Sequence, residues 1–208
     1  MTTLVADRVG HRFGTLLLFR RLSFSLEEGT SLAVTGANGA GKSTLLRILA
    51  GVLSPKAGTV TLRVNGRELP ADDHPLHVGL VAPALGVYED LTARENLVFL
   101  GQARRLPNAE SRIESVLERV GLAGRAGDLV GTYSSGMQQR VKYAAALLAD
   151  PPLLLLDEPA ANLDAAGREL VDSVIADQLD RDRLVVVATN RAEESRRHDR
   201  TIRIEDHQ

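Results

Sequence analysis

Gly36-Ala37-Asn38-Gly39-Ala40-Gly41-Lys42-Ser43-Thr44 is the stretch on which the fold turns. It fits G-x-x-x-x-G-K-[ST] without a gap. It follows the apolar segment TSLAVT (30–35), which reads as a strand, and precedes a helical run (44–50). Strand, motif and helix together are the setting in which such a loop wraps a polyphosphate. The glycines let backbone N–H groups turn inward around anionic oxygens, and the helix N-terminus adds its positive dipole. Lys42 supplies a point charge at the β/γ phosphates, in solvent-accessible contact with them. The Ser43 hydroxyl is placed to ligate Mg²⁺. The competing reading is an ordinary glycine turn before a helix.

Working outward, Val5, Val9, Phe13, Phe24 and Leu26 sit in short alternating segments that read as antiparallel strands. TVTLRV (59–64) alternates and ends at Asn65-Gly66, a two-residue hairpin signal. Residues 78–82 form another short strand. The character then changes. Thr92 and Glu95 make a capping box that opens a helix. Ile113, Val116, Leu117 and Val120 recur at helical spacing before Gly121. After residue 150 come two continuous apolar runs (153–156 and 184–188), as expected of parallel strands buried on both faces. A helical stripe of Leu170, Val171, Val174, Ile175 and Leu179 lies between them, and a further strand follows at 201–204. Strand–helix–strand order predicts an α/β core with a mostly parallel sheet. The 208 residues read as one domain, with a core of 1–83 and 151–208 and a helical insertion over about 84–150.

Two further segments carry chemistry. LLLLDE (153–158) is a buried strand ending in two carboxylates, and ligands of parallel sheets bind at the carboxyl ends of strands. Asp157 is positioned for Mg²⁺. Glu158 points differently and can polarise an attacking water as general base. Tyr133-Ser134-Ser135-Gly136-Met137-Gln138-Gln139-Arg140 is a small-residue turn at a helix N-terminus. It is either a second anion site or a simple helix cap.

Composition narrows the class. The chain has 44% hydrophobic and 25% charged residues, with 25 Lys+Arg against 27 Asp+Glu. A net charge of −2 argues against a partner held by bulk basic charge, so no nucleic-acid partner is expected. No cysteine is present, which excludes disulfides, thiol catalysis and Cys-based metal sites. No stretch approaches the 18 or so apolar residues of a membrane span, and no secretory signal is visible at the start. His74 and His77, near Asp72 and Asp73, read as a polar surface loop rather than a metal site. The mixed-charge segment 191–208 reads as a solvated face.

The order of glycine loop, helical insertion, YSSGMQQR, LLLLDEP and Asn162-Leu163-Asp164 resembles the ATP-binding subunit of ABC transporters, over nearly the whole chain. The resemblance implies an α/β P-loop NTPase (RecA-like) fold with an N-terminal antiparallel β subdomain and an inserted helical subdomain. It implies an ATP hydrolase with Mg²⁺ as cofactor, in which two copies, as a homodimer or heterodimer, sandwich two ATP molecules. Ser134, Ser135, Gly136, Met137 and Gln138 resemble the LSGGQ signature that grips ATP on the opposite subunit, with Ser135 for the first Gly and Met137 for Gln. Ala161–Asp164 looks like the D-loop, although Asp164 is equally a helix N-cap. Phe13 lies where an aromatic stacks on adenine, or else fills the core.

Two departures from the family pattern stand out. Pro83 occupies the end of the 78–82 strand, where the family places Gln, and Asn190 follows Thr189, where the family places His. Asn190 retains a donor toward a γ-phosphate but carries no proton or charge. The resemblance also implies integral membrane partner subunits, and hence a place at the cytoplasmic face of the cell membrane. Segment 84–96 is where family members touch those subunits. Leu85, Val87, Tyr88 and Leu91 suit such docking, or else pack within the insertion. The chain is most similar to haem-exporter cassettes of the CcmA type or to cassettes of ABC-2 type exporters. The readings set against this are a soluble ABC ATPase of translation or DNA repair and a P-loop kinase.

Overall fold

A computed structural model of the chain describes residues 1–161 and 163–208. Asn162, read above with the D-loop, lies outside the described residues. β1 (Thr3–Phe13) and β2 (Leu16–Glu27) form a long antiparallel hairpin. β3 (Ser31–Thr35) begins a second sheet and runs through the glycine loop into α1 (Lys42–Leu49). β4 (Ala57–Val64) returns to pair with β1 and turns at Asn65-Gly66 into the two-residue β5 (Arg67–Glu68). The first sheet thus has the order β2-β1-β4-β5, with every pair antiparallel.

α2 (His74–His77) leads into β6 (Val78–Val81). Three helices follow, α3 (Ala93–Ala103), α4 (Ala109–Arg119) and α5 (Ser135–Leu147). β7 (Leu153–Asp157), α6 (Ala165–Asp180), β8 (Leu184–Thr189), the short α7 (Ala192–Ser195) and β9 (Arg200–Arg203) complete the core, and a 3₁₀ turn follows at Ile204–His207. The second sheet has the order β6-β7-β8-β3-β9, and all its pairs are parallel. An antiparallel sheet beside a helix-covered parallel one is the α/β architecture expected from the sequence.

Alternation along the central strands divides the interior. Leu153, Leu155, Leu184 and Val186 face α1 and the first sheet, in one apolar core. Leu154, Leu156, Val185 and Val187 face the helices, in another. Both faces of β7 and β8 are therefore covered, which is why those segments are apolar throughout. Each fully buried Leu or Val contributes about 1.5–3 kcal/mol, so these strands are anchored from both faces. The helical layer starts where the sequence says it should. Thr92 Oγ1 accepts from the Glu95 N–H at 3.1 Å, and Glu95 Oε2 accepts from the Thr92 N–H at 2.8 Å.

Two expectations fail. His74 is buried against Gly51 rather than lying in a surface loop, because α2 folds back over the end of α1. Segment 191–208 is not merely a solvated face. It supplies β9, buries Ile204, and fastens Asp199 and Glu205 to β3 and the glycine loop. Among the described residues, no helix is long and apolar enough to cross a membrane.

Candidate functional site

The site forms where β3, β7 and β8 end side by side, the usual ligand position in a parallel sheet. The glycine loop leaves β3 and closes on α1 through Gly41, whose φ of 112° is left-handed. A Cβ there would lie 3.2 Å from Leu18 Cβ and 3.3 Å from the Phe19 ring, so a side chain at 41 fits neither the backbone nor the space. Lys42 is 6% exposed, not solvent-accessible as expected. Its stem folds back along the loop, and Nζ donates to Gly36 O at 2.8 Å and Ala37 O at 3.2 Å. The same ammonium pairs with Glu158 Oε1 at 3.5 Å.

Asn38, Gly39, Gly41, Lys42, Ser43 and Thr44 share one cavity of about 370 Å³ with Asp157 and Glu158. Phe13, Leu16 and Leu18 form its apolar wall. Phe13 is 54% exposed and rests edge-on against His11, so it is not a core residue. Its face is open to a flat ring, and Leu16 and Leu18 beside it were not picked out from the sequence. Gly36, Ala37 and Ala40 shape the loop from behind, with the Ala40 N–H closing on Ala37 O at 3.1 Å.

Asp157 ends β7 and is buried, with Oδ1 lacking any hydrogen-bond partner among the described residues. A buried, unpartnered carboxylate oxygen is costly. A hard cation held between it and the exposed Ser43 hydroxyl would satisfy it, and oxygen donors of this kind suit Mg²⁺. Glu158 follows at φ 48°, a conformation that β7 could not continue. Its N–H still donates to Ala188 O at 2.8 Å, which holds the strained residue in place. The turn swings the Glu158 side chain away from that of Asp157 and toward Lys42. Asn190, just past β8, donates from Nδ2 to Asn38 Oδ1 at 3.2 Å and so lies against the glycine loop.

The YSSGM segment is only partly brought to this site. Ser134 is the N-cap of α5, its Oγ accepting from the Met137 N–H at 3.3 Å. Ser135 and Gln138 share a second cavity, of about 220 Å³, with Glu158 and Pro83. Ser134, Gly136 and Met137 line neither cavity. Asp164 is the N-cap of α6, accepting from the Gly167 N–H at 2.7 Å, and also stands apart from both. At Pro83 no side-chain oxygen is present, and its carbonyl accepts from Lys142 Nζ at 3.3 Å.

Sequence reasoning missed Glu205, whose Oε1 accepts from the Ala37 N–H at 2.6 Å. The only available signal was its place just beyond a short strand, and nothing in the sequence says that strand lies beside β3. Beyond the second cavity runs an apolar groove of about 290 Å³, lined by Val52, Leu80, Leu85, Val87, Leu100 and Ala145, with Arg104 and Lys142 among its walls. Leu85 and Tyr88 are exposed beside it, whereas Val87 and Leu91 are half-buried.

The family model described as ABC transporter matches residues 19–161. The cytochrome c biogenesis ATP-binding export protein CcmA of Rhizobium etli is 38% identical over 193 residues, covering 90% of this chain and 87% of that protein. The linearmycin resistance ATP-binding protein LnrL of Bacillus subtilis is 35% identical over 191 residues, covering 90% of this chain. The chain spans 60% of the length of LnrL. The Nod factor export ATP-binding protein I of Burkholderia lata is 36% identical and matches 91% of this chain and 63% of its own. A solved structure titled as the ATP binding subunit of an ABC transporter superposes with a TM-score of 0.82 at 25% identity, covering 94% of this chain and 82% of its own. With the family's motifs in order along the chain and its glycine loop and paired carboxylates gathered in one cavity, the chain belongs to the ABC transporter family, among its ATP-binding subunits.

Proposed function

We propose that the chain binds and hydrolyses Mg-ATP and that two cassettes close around two nucleotides to drive export through separate membrane subunits. The observation that carries this reading is the shared cavity of Lys42, Ser43, Asp157 and Glu158, with one Asp157 oxygen buried and unpartnered. Phe13, with Leu16 and Leu18, takes the adenine face. The loop N–H groups and Lys42 take the phosphates, whose oxygens compete with Glu158 for the ammonium. Released from Lys42, Glu158 accepts the proton of the attacking water. Asn190 donates toward the γ-phosphate. Ser43 and Asp157 would hold Mg²⁺, which would supply charge neutralisation at the phosphates.

None of Ser134, Ser135, Gly136, Met137 and Gln138 lines the Lys42 cavity of its own chain, although Ser135 and Gln138 line the second cavity, which Glu158 also lines. That supports their use on the nucleotide of the opposite cassette, with Asp164 at the same interface. On this reading the apolar groove that Leu85 lines, with Tyr88 exposed nearby, is the face offered to the membrane subunit, and the chain works at the cytoplasmic side of the membrane. Haem export for cytochrome c maturation is the cargo favoured by the likeness to CcmA. Export of another small molecule, as in the resistance and Nod-factor relatives, is the alternative, and the membrane protein that copurifies decides between them.

The test is Glu158→Gln. It removes the base and a negative charge but keeps the shape. The expected result is ATP binding without hydrolysis, and a light-scattering mass with ATP near twice the 22.4 kDa of one chain. Retained hydrolysis would remove Glu158 as the base, and a monomer at every ATP concentration would count against the sandwich.

A further inference from the structure

β3 and β9 run parallel, with Thr35 opposite Arg203 as their last paired residues. Two residues further along each chain stand Ala37 and Glu205. The ladder has ended there, yet the register continues in another form. Glu205 Oε1 takes the Ala37 N–H at 2.6 Å, doing with a side chain what a strand carbonyl would otherwise do. The peptide group joined by this contact is the one between Gly36 and Ala37. Its carbonyl, Gly36 O, is the 2.8 Å acceptor for Lys42 Nζ. One peptide plane is thus held at both ends, by Glu205 on its N–H and by Lys42 on its C=O.

The fit is close. A Cβ on Gly36 would lie 2.9 Å from Glu205 Oε2, so the absence of a side chain at 36 is what lets the carboxylate approach. Arg203 Nε lies 3.4 Å from the same Oε2 and offsets its charge beside an anion-binding loop. The Ala37 N–H holds the Glu205 carboxyl below the usual range, so it is ionised at neutral pH.

We propose that Glu205 is a positioning residue for ATP binding, fixing the Gly36–Ala37 peptide so that its carbonyl aims the Lys42 ammonium at the phosphates. Without it the peptide is free to rotate, and Lys42 loses one of the two carbonyls that bend it along the loop. This rests on the reading of the loop as the phosphate site. It predicts an effect on nucleotide affinity and not on the chemical step, because Glu205 touches neither Glu158 nor Asn190.

Two opposing effects have to be separated. Removing Glu205 loosens the loop, but it also removes a negative charge near bound polyphosphate. Glu205→Ala does both, and Glu205→Gln removes the charge while keeping an acceptor for the Ala37 N–H. Affinity of the full chain for Mg-ATP is measured with a fluorescent ATP analogue displaced by ATP, together with kcat and KM. Loss of one charge-assisted hydrogen bond predicts an affinity about tenfold weaker in Glu205→Ala, with kcat unchanged. Glu205→Gln should return to within about threefold of wild type. Affinity in Glu205→Ala equal to or tighter than wild type would overturn the proposal. So would a Glu205→Gln variant as weak as Glu205→Ala, or a loss confined to kcat. Lys42→Ala serves as the reference. If it binds Mg-ATP normally, the phosphate-site reading itself is wrong. If it fails to bind while Glu205→Ala binds as wild type does, only the role of Glu205 falls.

Discussion

Lys42 Nζ and Glu158 Oε1 face each other at 3.5 Å, so the cation assigned to phosphate and the carboxylate assigned to water hold one another. They come from the same edge of the sheet but from strands that are not neighbours, Lys42 from the loop after β3 and Glu158 from the end of β7, with β8 between those strands. The pair links the two halves of the site, so a phosphate bound at Lys42, as proposed, would change the surroundings of Glu158 in the same event.

Lys42→Ala should therefore do more than delete a phosphate contact. It leaves the half-buried Glu158 carboxylate without its ion-pair partner and the Gly36 and Ala37 carbonyls without their donor. Affinity for Mg-ATP is expected to fall roughly 10²–10³-fold, the loss of two charge-assisted contacts. Circular dichroism should still show the folded chain, because the apolar cores do not depend on Lys42. Nucleotide affinity within threefold of wild type would remove Lys42 from the site.

Tyr143 gives a prediction about stability. It is among the largest fully buried side chains and packs in the helical core on α5, with its hydroxyl donating to Pro159 O at 3.5 Å, just past Glu158. Tyr143→Ala should cost about 3–5 kcal/mol through the cavity it leaves. Tyr143→Phe should cost under about 1 kcal/mol, because a bond at the limit of hydrogen-bonding distance contributes little. Urea unfolding of both variants checks the order. A Phe variant as unstable as the Ala variant would show that the hydroxyl, not the ring, holds α5 in place.

Much of this architecture is legible in the sequence, where periodicity and local chemistry carry the information. The apolar runs ending in Asp157 and beginning at Leu184 announce strands covered on both faces, and the Thr92–Glu95 box announces the start of α3. The glycine loop announces its own ligand chemistry, because its spacing is set by contacts within a few residues. What could not be read depends on which distant segments become neighbours. The burial of Lys42 follows from its stem bending back toward Gly36 O and from Glu158 closing over it. The bond from Ala37 to Glu205 spans 168 residues and exists only because β9 lies beside β3. His74 looks like a surface histidine until α2 is seen to press it against Gly51.

Asp199 makes a second such fastening and gives a pH prediction. Its Oδ2 accepts from both the N–H and the Oγ–H of Ser31, at 2.8 and 2.7 Å, tying the start of β9 to the start of β3. The Ser31 hydroxyl, then the Ser31 N–H, hold the Asp199 carboxyl below its ordinary value. A depressed carboxyl stabilises the fold above the ordinary aspartate value of about 3.9 and loses that contribution as pH falls through the folded value. Asp199→Asn should lower stability by about 1 kcal/mol at pH 7, a modest figure because the group is exposed. The gap between variant and wild type should narrow below about pH 4. Thermal unfolding of both proteins across that range provides the measurement, and a gap independent of pH would mean that the charge of Asp199 plays no part.

Asn190 carries the last prediction. It stands just past β8, and its Nδ2 reaches Asn38 Oδ1 at 3.2 Å, which puts an uncharged donor against the glycine loop. Pro83, two residues past β6, offers no side-chain oxygen, and its carbonyl is occupied by Lys142. The expected consequence is slow hydrolysis limited by the placing of water and γ-phosphate, since Glu158, the carboxylate proposed as the base, is present. Losing one transition-state donor of this kind typically costs roughly 10²–10³ in rate. Asn190→Ala should fall by an amount of that order. Asn190→His supplies a ring N–H that can also carry charge, and it should turn over faster than wild type. Single-turnover hydrolysis at saturating Mg-ATP compares the three proteins without interference from product release. Equal rates would mean that the bond to Asn38 is all that Asn190 does, and that its nearness to the phosphate loop has no part in the chemistry.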